Sequence, residues 1–177
     1  DLDFAAANAD SIGYSFVKRA ADIKLLQDEL KARRGKDARK IALIAKVETK
    51  DSVTNLPEII VQAASQQPLG IMIARGDLAV EVGYRRLSEL QEEILWICEA
   101  AHVPVIWATQ VLENMVKTGI PSRAEITDAA MSERAECVML NKGPYIVQAV
   151  SSLADILNRM KQHQHKKAPQ LKSLNIA

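Results

Sequence analysis

The sequence predicts an α/β fold built on parallel strands, and three observations carry the prediction. Short apolar runs alternate about five times with longer segments of helical periodicity, the signature of strand–helix–strand units. The runs Ile41-Ala42-Leu43-Ile44-Ala45-Lys46-Val47-Glu48 and Ile71-Met72-Ile73-Ala74-Arg75-Gly76-Asp77-Leu78 are apolar almost throughout, as expected of strands buried on both faces. Chemistry-bearing residues collect at the carboxyl ends of such runs: Lys46 with Glu48, then Asp77, then Thr109 after Val103-Pro104-Val105-Ile106-Trp107-Ala108. Polar strand ends are how a (β/α) barrel builds its site. A complete barrel has eight strands in typically about 250 residues. With 177 residues the chain is short by roughly three strands on that count. The pattern therefore leaves two architectures open, a partial barrel or a small doubly wound sheet.

The elements follow in order. Residues 1–11 carry Leu2, Phe4 and several alanines, suited to a short helix. Residues 12–17 are rich in strand formers. From Lys18 to about Arg34 the apolar positions Ala21, Ile23, Leu25, Leu26 and Leu30 recur at helical spacing. Basic residues close that helix, where they suit its dipole, and Gly35 breaks it. After the strand at 41–47, Asp51 or Ser52 can cap a helix through Leu56, Ile59, Ile60 and Ala63, with Pro57 tolerable only near its first turn. A strand at 69–74 and a helix over residues 86–101 come next. The strand at 103–108 leads into one or two helical turns around 111–115. A helix over 123–135, a strand over 136–142 and a final helix over 146–163 complete the pattern. Residues 166–177 read as a polar tail apart from the domain at 1–165.

Composition bounds the function classes. Hydrophobic residues make up 48% and charged residues 25%, and the formal net charge is +1. That balance gives no electrostatic reason to expect nucleic acid or an anionic membrane as partner. Cys98 and Cys137 sit in apolar contexts without metal-ligand spacing, which suits buried thiols in a reducing compartment. No apolar run approaches the ~20 residues of a membrane helix, and Asp1-Leu2-Asp3-Phe4 lacks the pattern of a signal peptide. These features suit a soluble, cytoplasmic protein. Neither Gly-x-Gly-x-x-Gly nor a Gly-x-x-x-x-Gly-Lys-Ser/Thr loop occurs, so the common nucleotide-binding folds lose their best support.

Glu48 and Asp77 end consecutive strands. Two carboxylates so placed can hold one hard divalent cation and leave positions for water and substrate oxygens, as Mg²⁺ prefers. They can equally be ordinary loop carboxylates, one of them paired with Arg75. Lys46 lies two residues before Glu48 and shares its face in an extended strand. Its ammonium can stabilise an enolate or donate a proton, or can simply pair with Glu48. The hydroxyl of Thr109 can orient water or a phosphoryl group, although a lone strand-end threonine is weak evidence. Gly76 permits close backbone approach, and the amides of Gly76 and Asp77 can bind a carboxylate if a helical turn starts there. His102, His163 and His165 form no catalytic grouping. Trp96 and Trp107 suit packing better than ligand stacking.

Several blocks now fall into register. Lys46-Val47-Glu48, Ile71 to Leu78, Ala108-Thr109-Gln110-Val111-Leu112-Glu113-Asn114-Met115 and Pro121-Ser122-Arg123-Ala124-Glu125 resemble, in order and spacing, the signature blocks of the pyruvate kinase family. The resemblance covers about residues 1–160. It implies the latter five strands of a TIM-type (β/α) barrel and transfer of the phosphoryl group of phosphoenolpyruvate to ADP, with Mg²⁺ or Mn²⁺ and usually K⁺. Glu48 and Asp77 match the family's divalent-metal ligands, and Lys46 matches its enolate-stabilising lysine. Thr109 matches the threonine near the site of enolpyruvate protonation. Arg75, Gly76 and Asp77 match the turn whose amides hold the substrate carboxylate. The block from Pro121 to Glu125 matches a segment near the subunit interface.

Departures accompany the match. Nothing here corresponds to the family's strands carrying an arginine and the K⁺ ligands, to its lid domain or to its C-terminal regulatory domain. Lys18-Arg19 stands where Arg-Lys is usual. Asn141-Lys142-Gly143-Pro144-Tyr145 replaces a longer loop and loses a glutamate. The expectation is therefore a divergent barrel piece of a longer protein, inactive by itself, with open strand edges near 12–17 and 137–142 that favour self-association. The alternatives are a Mg²⁺-dependent lyase or aldolase acting on phosphoenolpyruvate or pyruvate, and a non-catalytic relative.

Overall fold

A computed structural model of the chain describes residues 1–165 and 168–169. They form two compact units, one ending at Val105 and the other beginning at Ile106.

The first unit runs α1 (Leu2–Asn8), β1 (Ser11–Tyr14), α2 (Ala20–Arg34), a 3-10 turn (Gly35–Lys40), β2 (Ala42–Val47), α3 (Lys50–Thr54), α4 (Leu56–Ala64), β3 (Leu69–Ala74), α5 (Arg75–Val82) and α6 (Tyr84–Ala100). β1, β2 and β3 pair in chain order and all in parallel, with Ser11 opposite Ala42 and Leu43 opposite Leu69. The helices bury the centres of the stripes that their periodicity predicts, while Ala21 and Leu25 of α2 are exposed and Leu87 and Ile97 of α6 are half-buried. α2 buries Ile23, Leu26, Gln27 and Leu30, α4 buries Leu56, Ile59, Ile60 and Ala63, and α6 buries Leu90, Gln91, Ile94, Leu95 and Cys98. These stripes and Leu43, Val47, Ile71 and Ile73 make up the core. Burying each leucine, isoleucine or valine among them contributes about 1.5–3 kcal/mol.

The second unit contains β4 (Val105–Val111, whose first residue closes the first unit), α7 (Glu113–Thr118), α8 (Arg123–Met131), a 3-10 turn (Ser132–Arg134), β5 (Cys137–Leu140) and α9 (Ile146–Met160). β4 and β5 are parallel, with Ile106 opposite Cys137 and a register shift between Trp107 and Val111. Two-residue strands β6 (Gln164–His165) and β7 (Ala168–Pro169) pair antiparallel beyond them. The α/β architecture with five parallel strands is the predicted one. The predicted tail lies, apart from Ala168 and Pro169, outside the described residues.

Several local expectations give way. β2 alternates buried Leu43, Ala45 and Val47 with half-buried Ala42, Ile44 and Lys46, so it is covered fully on one face only. Thr49, not Asp51 or Ser52, caps the helix that follows. Its Oγ1 accepts from the Ser52 N–H at 3.1 Å while Ser52 Oγ accepts from the Thr49 N–H at 3.0 Å. That helix then breaks at Asn55, whose side chain donates to the Lys18 carbonyl at 2.9 Å. The break places Pro57 in the first turn of α4, where its missing N–H costs no hydrogen bond. Cys98 is buried and neither cysteine forms a disulfide, but Cys137 is exposed. Trp107 is buried as expected, whereas Trp96 is 58% exposed on α6. Apolar periodicity assigns a residue to a helix without fixing which of two adjacent apolar positions faces inward, and at residues 95 and 96 the core took Leu95.

Candidate active site

The carboxyl end of β2 concentrates charge inside the first unit. Glu48 follows the strand directly and is 1% exposed. Its Oε1 accepts from Lys46 Nζ at 2.7 Å and its Oε2 accepts from the Phe16 backbone N–H at 2.5 Å. Lys46 Nζ also donates to Ser15 Oγ at 2.9 Å. A buried carboxylate is tolerable only when paired and hydrogen-bonded, and here both oxygens are engaged. The ammonium keeps 27% of its side chain exposed, so the pair is closed on the carboxylate side and accessible on the lysine side. The ion-pair reading of Lys46 and its chemical reading are thus compatible: the bonds to Glu48 and Ser15 hold the ammonium in place.

Ser15 and Phe16 were not singled out from the sequence. They follow β1, which ends at Tyr14, and are exposed. Phe16 has φ +54°, a left-handed conformation unfavourable for a non-glycine residue. The residue tolerates it where its N–H meets Glu48. The signal available in the sequence was adjacency: the parallel pairing of β1 with β2 brings the residue after Tyr14 beside the residue after Val47.

At the end of β3 the chain enters α5 immediately, with Arg75, Gly76 and Asp77 as its first three residues. A helical turn therefore starts at this corner. The first N–H groups of a helix have no intrahelical acceptor and carry the positive end of its dipole. Arg75 is buried and Asp77 is exposed. Asp77 makes no side-chain hydrogen bond or ion pair among the described residues.

Glu48 and Asp77 supply hard oxygen donors, and no group of three or more His, Cys, Asp or Glu suited to a metal exists among the described residues. An all-protein cage of the Ca²⁺ or Zn²⁺ kind is not what this donor set provides. One or two carboxylates with water and substrate oxygens is the Mg²⁺ mode; Asp77 presents an exposed carboxylate for it, and Glu48 would join by exchanging its bond to Lys46 or to the Phe16 N–H.

In the second unit Thr109 is half-buried and lies within β4 rather than at its end. Thr109 and Gln110 have φ +68° and +59°, and Leu112, the residue before α7, has +49°. Three left-handed non-glycine residues in four positions coincide with the register shift in β4, the form of a bulge that redirects side chains beside a site. The block from Ser122 to Glu125 is a capping box for α8. Glu125 Oε2 accepts from the Ser122 N–H at 2.7 Å and Oε1 from the Asn114 N–H at 2.5 Å, so one carboxylate serves the first turns of α7 and α8. Burial pushes this carboxyl up, but the amides of Ser122 and Asn114 outweigh it and hold it below the usual range.

The altered loop after β5 is folded onto α7. Asn141 Nδ2 donates to Glu113 Oε2 at 2.5 Å, and the Tyr145 N–H donates to the Val116 carbonyl at 3.1 Å. A Cβ on Gly143 would stand 2.5 Å from that carbonyl oxygen, so glycine is required there.

Comparison with known proteins identifies relatives of the chain. A family model described as "Pyruvate kinase, barrel domain" matches residues 1–150. The chain is 37% identical over 160 residues to a pyruvate kinase of Hypocrea jecorina, covering 86% of this chain and 28% of that protein. It is 40% identical over 163 residues to a pyruvate kinase of Dictyostelium discoideum, covering 88% of this chain and 30% of that protein. With the chloroplastic pyruvate kinase isozyme A of Nicotiana tabacum it shares 42% identity over 145 residues, 80% of this chain and 23% of the relative. The chain thus spans under a third of the length of these relatives. The chain belongs to the pyruvate kinase family.

Proposed function

We propose that this chain forms part of a phosphotransferase that moves the phosphoryl group of phosphoenolpyruvate to ADP, in the cytoplasm, and that the first unit carries its metal half-site. The observation behind the reading is the buried Glu48, fixed by Lys46 and Phe16, in a chain whose relatives are pyruvate kinases. Phosphoryl transfer depends mainly on positioning and charge neutralisation, and these residues offer both. Lys46, braced by Ser15 and Glu48, presents its ammonium to a developing enolate or a transferring phosphoryl oxygen. The first amides of α5, at Arg75, Gly76 and Asp77, receive the substrate carboxylate. Thr109 orients the water or acid that protonates the enolpyruvate carbon. Glu48 and Asp77 would hold Mg²⁺ or Mn²⁺, which supplies further neutralisation on the phosphoryl oxygens when bound. No step here is assigned to K⁺, because no residue matches its family ligands.

The chain by itself is expected to turn over little phosphoenolpyruvate. Normal pyruvate formation by the 177-residue chain in a coupled assay would refute that. Self-association is also expected, and a monomer by light scattering at high concentration would count against it. The metal assignment is tested by Mn²⁺ titration followed by electron paramagnetic resonance, with and without phosphoenolpyruvate. Saturable binding should weaken at least about tenfold, roughly 1.4 kcal/mol, in both Glu48→Gln and Asp77→Asn. Equal binding in all three proteins would remove the metal from these residues and favour a non-catalytic role.

A further inference from the structure

We propose that the first unit has a second ligand site, for a small phosphomonoester that also carries a hydroxyl group, at the amino ends of β2 and β3. It is independent of the catalytic reading, since the residues of the first unit proposed for chemistry stand at or just after the carboxyl ends of β2 and β3. A cavity of about 350 Å³ lies among the last turn of α2, the 3-10 turn and the connector from α4 to β3. Its lining includes Lys31, Lys36 and Arg39, three cations and no acid, with a glycine and an alanine besides the glutamines discussed below.

None of the three cations makes an ion pair among the described residues, although acids stand close by in sequence. Glu29 is engaged by Arg33, and Asp37 by Lys40 at 2.8 Å. The dipole of α2 accounts for a lysine at position 31. It does not account for Lys36 and Arg39, which lie beyond the helix end on the turn. Three unneutralised cations around one small cavity call for an anion of more than one charge.

The inner wall is a fixed set of amides. Gln27 Oε1 accepts from Gln62 Nε2 at 2.8 Å and from Gln66 Nε2 at 3.4 Å, and Gln27 Nε2 donates to the Gln62 and Ala63 carbonyls. Gln67, 6% exposed, donates from Nε2 to the Ala38 and Ile41 carbonyls at 2.9 and 3.0 Å. Those bonds settle which end of the amide is which. They leave Gln67 Oε1 buried without a hydrogen-bond donor. Buried acceptors in native proteins are nearly always satisfied, so this wall suits a ligand that brings an O–H. Phosphate charge for the cations and a hydroxyl for the amide oxygen together define the class. The cavity volume limits the occupant to a small molecule.

The test is titration of the full chain, ¹⁵N-labelled, with glycerol 3-phosphate, inorganic phosphate and glycerol, monitored by NMR. Glycerol 3-phosphate should bind saturably with Kd below about 1 mM and shift the amides of Gly35 and Ala38 and the side-chain amide of Gln67. Lys36→Gln and Arg39→Gln, at exposed positions where folding is not at stake, should each weaken it by about fivefold to tenfold. The amides of Gly76 and Asp77 should not shift over the same titration, which separates this site from phosphate capture at the start of α5. Inorganic phosphate should bind several-fold more weakly and glycerol not at all. Absence of saturation, shifts spread over all basic surfaces, or unchanged affinity in both charge variants would each overturn the proposal. Equal affinity for inorganic phosphate would reduce it to an adventitious ion only.

Discussion

Glu48 and Glu113 have the same bonding pattern in different surroundings. Each gives one oxygen to a lysine and the other to a nitrogen donor from a distant part of the chain. For Glu48 these are Lys46 at 2.7 Å and the Phe16 N–H at 2.5 Å. For Glu113 they are Lys117 at 2.6 Å and Asn141 Nδ2 at 2.5 Å. The first carboxylate is 1% exposed with its lysine at 27%; the second is 25% exposed with its lysine at 62%. An exposed helical pair of the second kind contributes about 0.3–0.5 kcal/mol and forms at little desolvation cost. A buried pair costs several kcal/mol of desolvation per ion and is therefore weak evidence for stability. A charge pair retained at that cost, at a strand end and beside an accessible ammonium, is better explained by chemistry. The comparison separates a site from a surface brace where hydrogen-bond geometry alone does not.

The largest effect expected from breaking this contrast is in Glu48→Gln. It strands Lys46 and should cost about 3 kcal/mol, the low end for a broken buried pair because Lys46 keeps some solvent. Urea denaturation monitored by circular dichroism measures it, and a loss under 1 kcal/mol, the surface-pair level, would erase the distinction. Gly143→Ala should come next at about 2 kcal/mol, since its Cβ must displace the Val116 carbonyl and overpacking of this kind costs about 1–3 kcal/mol. A neutral result would mean that the loop after β5 is not anchored on α7. Ser15→Ala should cost no more than about 1 kcal/mol in stability, because Ser15 is exposed. The lysine Nζ resonance that disappears in Lys46→Met should nonetheless exchange with solvent faster in the Ser15 variant. Unchanged exchange would show that the hydroxyl does not brace Lys46. Glu113→Gln should cost under about 1 kcal/mol.

The smallest effect depends on pH. Lys117 above all, and Asn141 after it, hold the Glu113 carboxyl below the usual range against the opposing effect of burial. A folded-state value below the unfolded one adds stability above the ordinary glutamate pKa of about 4.3. That stability is lost as pH falls through the depressed folded value. The stability difference between the wild type and Glu113→Gln should therefore shrink as pH falls from about 6 to about 3. A difference that widened on acidification would contradict the sign.

Much of the architecture was legible because it rests on local periodicity. The strand runs at 41–47 and 69–74 and the helical spacing of Ile23, Leu26 and Leu30 each correspond to an observed element. Lys46 and Glu48 could be paired from a spacing of two residues. Ser15 and Phe16 could not, because they reach Lys46 and Glu48 across more than thirty residues. The choice of Thr49 as cap was hidden for a related reason: Thr49, Asp51 and Ser52 are all competent caps, and the end of β2 decides which stands at the helix start. The sequence places a strand at 103–108, whereas β4 runs Val105–Val111. The pairing of β4 with β5 resumes at Val111 after the shift, at the cost of two left-handed residues that no propensity would assign.

By itself the sequence determined the alternation of strands and helices, the parallel class of the sheet, the family, and the acidic and basic residues at the strand ends. These follow from hydrophobic periodicity and from residue identity, both of which are written along the chain. Tertiary structure alone decided which carboxylate is desolvated, Glu48 rather than Asp77, and which backbone donor satisfies it. It also decided that Arg75-Gly76-Asp77 opens a helix without an intervening loop. Burial and hydrogen-bond partnership depend on segments remote in sequence, and they turn an ordinary Lys-Val-Glu strand end into a held charge pair.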